Sequence, residues 1–202
     1  MTNNLKKLIS FALLMVLSLQ LHATIYYISP LGNDNHAGTR EETPLASLAT
    51  VQKKVKAGDI VYILPGIYHV KENEMMDKTS SNVWDIIFDF AISGTESSPI
   101  IYKGIQDAQG NRPVFDFSAI NTGKRLTGFY IRAKHLEFFN FEIIGINVPK
   151  SSSNTQSENI RINGGSYCKL YHIAAHDGMG IGFYLTGRSA HNTISNCDAY
   201  NN

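Results

Sequence analysis

Leu136-Glu137-Phe138-Phe139-Asn140-Phe141-Glu142-Ile143 returns twice further along the chain. It reappears as Cys168-Lys169-Leu170-Tyr171-His172-Ile173-Ala174-Ala175 and then as Asn192-Thr193-Ile194-Ser195-Asn196-Cys197-Asp198-Ala199. The offsets are 32 and 24 residues. Phe138, Leu170 and Ile194 share a column, as do Phe141, Ile173 and Cys197, and Ile143, Ala175 and Ala199. Apolar residues alternate, slip by one at Asn140, His172 or Asn196, and alternate again. Alternation is the mark of a strand. A slip of one residue suits a sharp bend between two strands, and Asn tolerates the left-handed backbone that such a bend uses. A period of 20 to 50 residues points to a solenoid. The expected fold is an all-β parallel β-helix in which each coil supplies two short strands, a tight bend and a longer return. The competing reading is an antiparallel sandwich with chance similarity.

Working outward, Asn159 to Asn163 and Ile181 to Leu185 complete the second and third coils. Residues 150–158, rich in Ser, read as an insertion that accounts for the longer first offset. Toward the N-terminus, strands are expected at Thr24 to Ile28, Gly58 to Leu64 (ended by a Pro65-Gly66 turn and followed by a short extended piece at Ile67-Tyr68), Trp84 to Phe90, Pro99 to Lys103, Val114 to Phe117 and Gly128 to Ala133. Residues 104–113 and 121–126 read as loops. A helix is expected over Pro44 to Ala57. Thr43 would cap it, Pro44 would fill its first turn and Gly58 would end it. Its apolar stripe of Leu45, Leu48, Val51 and Val55 suits a cap over the first coil. Lys53, Lys54 and Lys56 read as helix-end charges or as a polyanion patch.

The chain has 202 residues, with 18 Lys and Arg against 17 Asp and Glu. One folded domain over 24–202 is expected. A balanced charge confines any site for an acidic polymer to a local patch. No basic run or motif marks nucleic-acid binding. Residues 1–23 read as a secretory leader: Lys6 and Lys7, an apolar run from Leu8 to Leu21, and cleavage near Ala23. The run is short for a stable membrane anchor, so a secreted, periplasmic or cell-surface location is expected. Cys168 and Cys197 fall in different columns, so they read as small buried apolar residues rather than a disulfide.

Two stretches carry a resemblance. Tyr26-Tyr27-Ile28-Ser29-Pro30 with Gly32-Asn33-Asp34, Pro44-Leu45-Ala46-Ser47-Leu48, and Gly58-Asp59-Ile60-Val61-Tyr62-Ile63 with Pro65-Gly66 and Tyr68 resemble the opening segment of secreted right-handed parallel β-helix proteins. The tail from Asn192 to Asn202 is similar to a coil of the family nine pectate lyases. That resemblance implies β-elimination on an acidic plant polysaccharide. Calcium bound by Asp residues would neutralise the uronate carboxylate, and a Lys or Arg would act as base. In the family those groups follow the Cys-Asp-Ala-Tyr-Asn-Asn coil. No residue here matches them, so catalytic residues are expected beyond Asn202 and no calcium ligand is assigned within the chain. The expectation is the N-terminal part of a longer enzyme, monomeric, with later coils missing and no lyase activity of its own. The alternatives are a non-catalytic carbohydrate-binding or surface β-helix, or a glycoside hydrolase, which would need paired carboxylates.

Among residues present, Asp177, Asp198 and Arg188 are the candidate substrate contacts. His176-Asp177-Gly178 offers a cation or sugar contact or a plain turn. Asp198 falls on an outward column with Ala174 and Glu142. Arg188 sits in a loop beside Ser189, and His172 occupies the Asn column. Trp84 can stack on a sugar or pack beneath a loop. Asn33 and Asp34 suit a cation or ordinary turn chemistry.

Overall fold

A computed structural model of the chain describes residues 23–78, 84–148 and 156–202. Residues 1–22 of the expected leader and most of the predicted insertion, through residue 155, lie outside the described residues. Among those described, every pairing between named strands is parallel, and the strands form two sheets. The larger sheet runs β1 (Ile25–Ile28), β2 (Ile60–Ile63), β5 (Ile100–Gly104), β8 (Leu136–Ile144), β10 (Lys169–His176) and β12 (Thr193–Ser195). Beyond the bend the same sheet continues as β3 (Ile67–His69) and β6 (Val114–Asp116), the second halves of β8 and β10, and β13 (Asp198–Tyr200). The smaller sheet stacks β4 (Trp84–Phe90), β7 (Arg125–Ile131), β9 (Glu158–Asn163) and β11 (Ile181–Thr186). Successive strands in each sheet come from successive coils, so the fold is the parallel β-helix that the repeat predicts.

The columns coincide as read. Leu170 pairs with Phe138 and Ile194, and Ala174 with Glu142 and Asp198. Asn140, His172 and Asn196 have φ of 62°, 54° and 52°, so the phase slip is a left-handed bend. The Asn140 side-chain amide donates to the Gly104 carbonyl one coil below, at 3.0 Å. A Cβ at Gly104 would lie 1.9 Å from the Asn140 carbonyl oxygen, which restricts that position to glycine.

Between the sheets lies a continuous apolar interior. Phe129 is 1% exposed. Its ring lies within 5.1 to 6.4 Å of those of Phe88, Phe90, Phe115, Phe117, Phe138 and Phe141. Each such ring contributes about 1.5–3 kcal/mol by burial, and edge-to-face geometry adds to it. Cys168 lies in this interior as an unpaired thiol, and Cys197 packs against it, half-buried. Burial raises both thiol pKa values, leaving them small apolar fillers.

The helix is shorter than its sequence pattern. It spans Leu48–Gln52 (α1), and its N-cap is Ser47 rather than Thr43. Leu45 is held extended beside β1, donating to the Tyr27 carbonyl and accepting from Ser29 N–H. Asp34 accepts from Ala46 N–H, Ser47 N–H and Ser47 Oγ, at 2.9, 3.0 and 2.7 Å, which pins the helix start. Burial alone would raise the Asp34 pKa, but the hydrogen bonds from Ser47, Thr50 and Ala46 outweigh it and hold the carboxyl below its ordinary value. Asp34 is therefore committed to local structure rather than offered to a cation. Strand β7 also begins at Arg125, inside the stretch read as a loop, because Trp84 and Asp85 of β4 supply partners there, with β9 joining from Thr127.

Candidate functional site on the smaller sheet

Side chains in the smaller sheet depart from strict alternation. Ile87 and Phe88, neighbours in β4, both join the interior. In β7, a Cβ at Gly128 would lie 2.6 Å from the Phe117 ring, so the Gly128 position also faces inward, beside Phe129. The double inward step leaves Glu158 and Arg161, three residues apart in β9, on the same outer face.

Glu158 is fully buried. Its Oε1 accepts from Arg125, Arg161 and Gln156, at 3.2, 3.2 and 3.0 Å, and its Oε2 accepts from Thr127 Oγ1 at 2.9 Å. One carboxylate thus serves two guanidinium groups, and the trio carries a net positive charge. The Arg125 and Arg161 side chains are only 11% and 12% exposed. The Arg161 guanidinium lies 5.0 Å from the Trp84 ring centroid and 5.1 Å from that of Tyr184. Arg125 lies 6.0 Å from the Trp84 centroid. Such distances are those of cation–π contacts. Along the same face, Asn163 donates to the Tyr130 hydroxyl, Arg132 forks onto Asp89 and Lys124 pairs with Asp85. Trp84 and Arg125 share one register column and Arg161 and Tyr184 another, five positions further along the strands, so it is the long Arg161 side chain that brings its guanidinium back to Glu158 and the Trp84 ring.

The candidates chosen from sequence lie elsewhere. Asp177 follows β10 at φ 49°. Its carboxylate accepts from Asn201 Nδ2 at 3.0 Å and faces His176 Nδ1 at 2.8 Å. The Asn201 bond first, then His176, lower its pKa. His176 also places Nε2 3.1 Å from Glu142, and Glu142 pairs with Arg112 at 2.7 Å. Asp198 is exposed and stands in register with Ala174, on the coil that carries Tyr200, whose ring stacks on His176. Asp177 and Asp198 therefore share one end of the larger sheet. Arg188 is exposed in a turn with φ 62°, at the opposite end of β11 from Asp177.

A second set of bends carries rings: His135, Tyr167 and His191 all have positive φ and stack at 5.0 and 4.7 Å. They wall a cleft of about 560 Å³ together with Glu137, Lys169 and Thr193. Lys169 is neutralised there by Glu137 at 2.8 Å, so the cleft offers no surplus charge to an acidic ligand.

Calcium needs several carboxylate or carbonyl oxygens converging on one point. Among the described residues no three of His, Cys, Asp and Glu gather in that way. Glu142 is occupied by Arg112 and His176, Asp177 by Asn201 and His176, and Glu158 by its four donors. The described residues do not fit a calcium site.

Of the residues on the smaller sheet, only Trp84 stands out in the sequence. Arg125, Glu158, Arg161 and Tyr184 carry no local motif, since their spacing is set by coil lengths. The sole available signal is the unusual presence of charged residues inside strands that flank a buried core.

Residues 26–202 match the family described as Pel9A-like, right handed beta helix region. Pectate lyase L of Dickeya dadantii (strain 3937) is 25% identical over 180 residues, covering 88% of this chain and 37% of that protein. A solved structure of a rhamnogalacturonan lyase superposes with a TM-score of 0.78 at 38% identity, over 89% of this chain and 42% of that one. The crystal structure of pectate lyase Pel9A superposes at 0.66 with 24% identity, over 88% and 40%. The chain spans about two fifths of the length of these relatives.

Proposed function

The chain belongs to the Pel9A-like right-handed β-helix family, and from that premise we propose that it serves a polysaccharide lyase acting on an acidic, galacturonate-containing pectic backbone. The observation that carries this reading is the 38% identity to a rhamnogalacturonan lyase, in a chain whose smaller sheet clusters two largely buried arginines with aromatic rings. Guanidinium groups recognise carboxylates by paired N–H donors, and aromatic rings accept sugar faces. Rhamnogalacturonan is favoured over polygalacturonate, because the pectate lyases are less similar, at 25% and 24% identity.

In β-elimination a base removes the proton at C5 of the uronate, next to its carboxyl group. The C4 oxygen leaves with its bonding pair and a C4–C5 double bond remains. The charge that develops on the carboxyl group must be stabilised. Calcium, which resemblance to the lyases implies, finds no donor set among the described residues. Residues 24–202 hold the glycan, and the groups that break the bond lie outside them. The leader at residues 1–23 belongs to the same reading, since a plant cell-wall polymer is met outside the cell.

The test uses the full chain with polygalacturonate, rhamnogalacturonan and a neutral galactan, with and without calcium. The expected result is retention on the acidic polymers alone, with no rise in the ultraviolet absorbance of unsaturated product. Failure to bind either pectic polymer overturns the substrate reading. Robust turnover overturns the placing of the bond-breaking groups.

A further inference from the structure

Where the chain passes from the smaller sheet to the larger, it turns a corner at His135, Tyr167 and His191 in successive coils. All three have left-handed φ, of 54°, 58° and 55°. A bulky residue in that conformation is strained, and Asn or Gly would hold the bend at less cost. Rings stand there all the same, stacked at 5.0 and 4.7 Å. They form a true column, because the residues just before them, Lys134, Ser166 and Ala190, are bridged coil to coil. Two residues on, Glu137, Lys169 and Thr193 form a second column, paired strand to strand. Both columns line the cleft of about 560 Å³, and Glu96 and Pro99 border it from the coil below. The turn that carries Glu96 is anchored to this corner at both ends, since Gly94 N–H donates to the Lys134 carbonyl and Ile100 N–H to that of His135, at 3.0 and 3.1 Å.

The rings cover one another's faces, with interplanar angles of 7° and 10°, so their edges are what a ligand meets. Those edges carry the imidazole nitrogens and the Tyr167 hydroxyl. Among the described residues none of these groups has a hydrogen-bond partner. Their backbone is fixed in advance. His135 N–H donates to the Ser166 carbonyl and Tyr167 N–H to that of Ala190, both at 3.1 Å. The Asn192 side chain clamps the corner by accepting from Cys168 N–H and donating to the Gly165 carbonyl. Little order remains to be gained when a ligand binds. Beside the rings, Glu137 and Lys169 place an acceptor and a donor 2.8 Å apart, which suits two adjacent hydroxyls of a sugar ring. Glu96 and Glu137 against Lys169 leave the lining with one negative charge while the imidazoles are neutral. A uronate entering here meets like charge and no guanidinium fork. A neutral sugar does not meet that repulsion.

Rhamnogalacturonan alternates galacturonate with rhamnose, a neutral deoxyhexose, whereas polygalacturonate has no neutral unit. The two columns cross three coils, about 10 Å, enough for one sugar and its two linkages. Resting on the pectic reading above, we propose that this corner cleft is a specificity subsite that accepts the rhamnose unit and turns galacturonate away. Rhamnose hydroxyls bond to Glu137, Lys169 and the Tyr167 hydroxyl, and its methyl group rests against Pro99. The cleft selects the polymer and takes no part in breaking the bond. A single subsite is too weak to retain a neutral galactan, whose sugars also carry a hydroxymethyl group where rhamnose has its methyl.

The full chain is titrated with rhamnogalacturonan and polygalacturonate oligosaccharides of equal length, and with methyl rhamnoside. Binding is followed by calorimetry and by the side-chain NMR signals of His135 and His191, assigned by single substitutions. Wild-type protein should bind the rhamnogalacturonan oligosaccharide roughly tenfold more tightly than the polygalacturonate one. That ligand and the rhamnoside should move both histidine signals, and polygalacturonate should move neither. Tyr167→Asn suits the left-handed bend and removes the phenol, so it should weaken rhamnogalacturonan binding roughly fivefold, as loss of a hydrogen bond implies, and leave polygalacturonate binding unchanged. Glu137→Gln removes a charge that repels uronates, so it should tighten polygalacturonate binding, a gain that a purely structural role does not produce. Equal binding of the two oligosaccharides by wild type overturns the subsite, as does a Glu137→Gln variant with no gain for polygalacturonate. If rhamnogalacturonan binds and neither histidine signal moves, the subsite falls and the pectic reading stands. If the rhamnoside moves both signals while neither acidic oligosaccharide binds, the subsite stands and the pectic reading falls. If none of the three ligands binds, both fall.

Discussion

Replacing Asn140 by alanine isolates the left-handed bend that recurs at His172 and Asn196 in the following coils. Asn140 has φ 62°, and its side chain donates to the Gly104 carbonyl at 3.0 Å. Alanine in the left-handed region costs about 1–2 kcal/mol. Loss of the partly buried hydrogen bond costs a further 0.5–1.5 kcal/mol or so. Asn140→Ala should therefore destabilise the chain by about 2–3 kcal/mol. Asn140→Gly loses the same hydrogen bond but has no Cβ to strain, and its added unfolded-state freedom costs only about 0.5–1 kcal/mol. The glycine variant should lie about 1 kcal/mol above the alanine variant. Urea unfolding followed by far-ultraviolet circular dichroism measures both, read from the midpoint at an unchanged slope. Alanine matching wild type, or glycine proving no better than alanine, refutes the assignment of strain to this bend.

Two further outcomes follow from the interior and from the helix start. Phe129→Ala removes the ring on which six other phenylalanines pack, and a loss of about 3–5 kcal/mol is expected in the same urea assay; a loss under about 1 kcal/mol would contradict the packing described. Asp34 has a folded pKa below its ordinary value, so its stabilising contribution is present above about pH 4 and disappears as pH falls through the folded pKa. The gap between wild type and Asp34→Asn in urea midpoint should accordingly be largest near neutrality and close as the pH falls through the folded pKa, and a gap that widens on acidification would reverse the sign of that reasoning.

Much of the architecture is legible in the repeat because its period is a geometric quantity. Two residues per strand pleat and one residue per bend translate directly into columns, and Asn140, His172 and Asn196 mark the bend by chemistry as well as by place. The helix is less legible. Leu45, Leu48, Val51 and Val55 satisfy a helical stripe, yet Leu45 is held as an extended residue by backbone bonds to β1 that no local pattern encodes. The outward column of Asp198, Ala174 and Glu142 was readable, but the partners of its acids were not. Arg112 reaches Glu142 from a loop 30 residues earlier.

By itself, the sequence determined the coil, its columns and its bends, because these depend on side-chain alternation and on which residues tolerate a left-handed backbone. Only the tertiary structure decided where surplus charge resides. Trp84, Arg125, Glu158, Arg161 and Tyr184 lie in four strands whose separation along the chain depends on loop length, while their separation in space is the spacing between coils. The double inward step in the smaller sheet then turns Glu158 to the same side as Arg161, against the alternation that strand patterns assume. Contacts between coils obey the pitch of the solenoid rather than any spacing in the chain, and that is why this site was hidden while its scaffold was not.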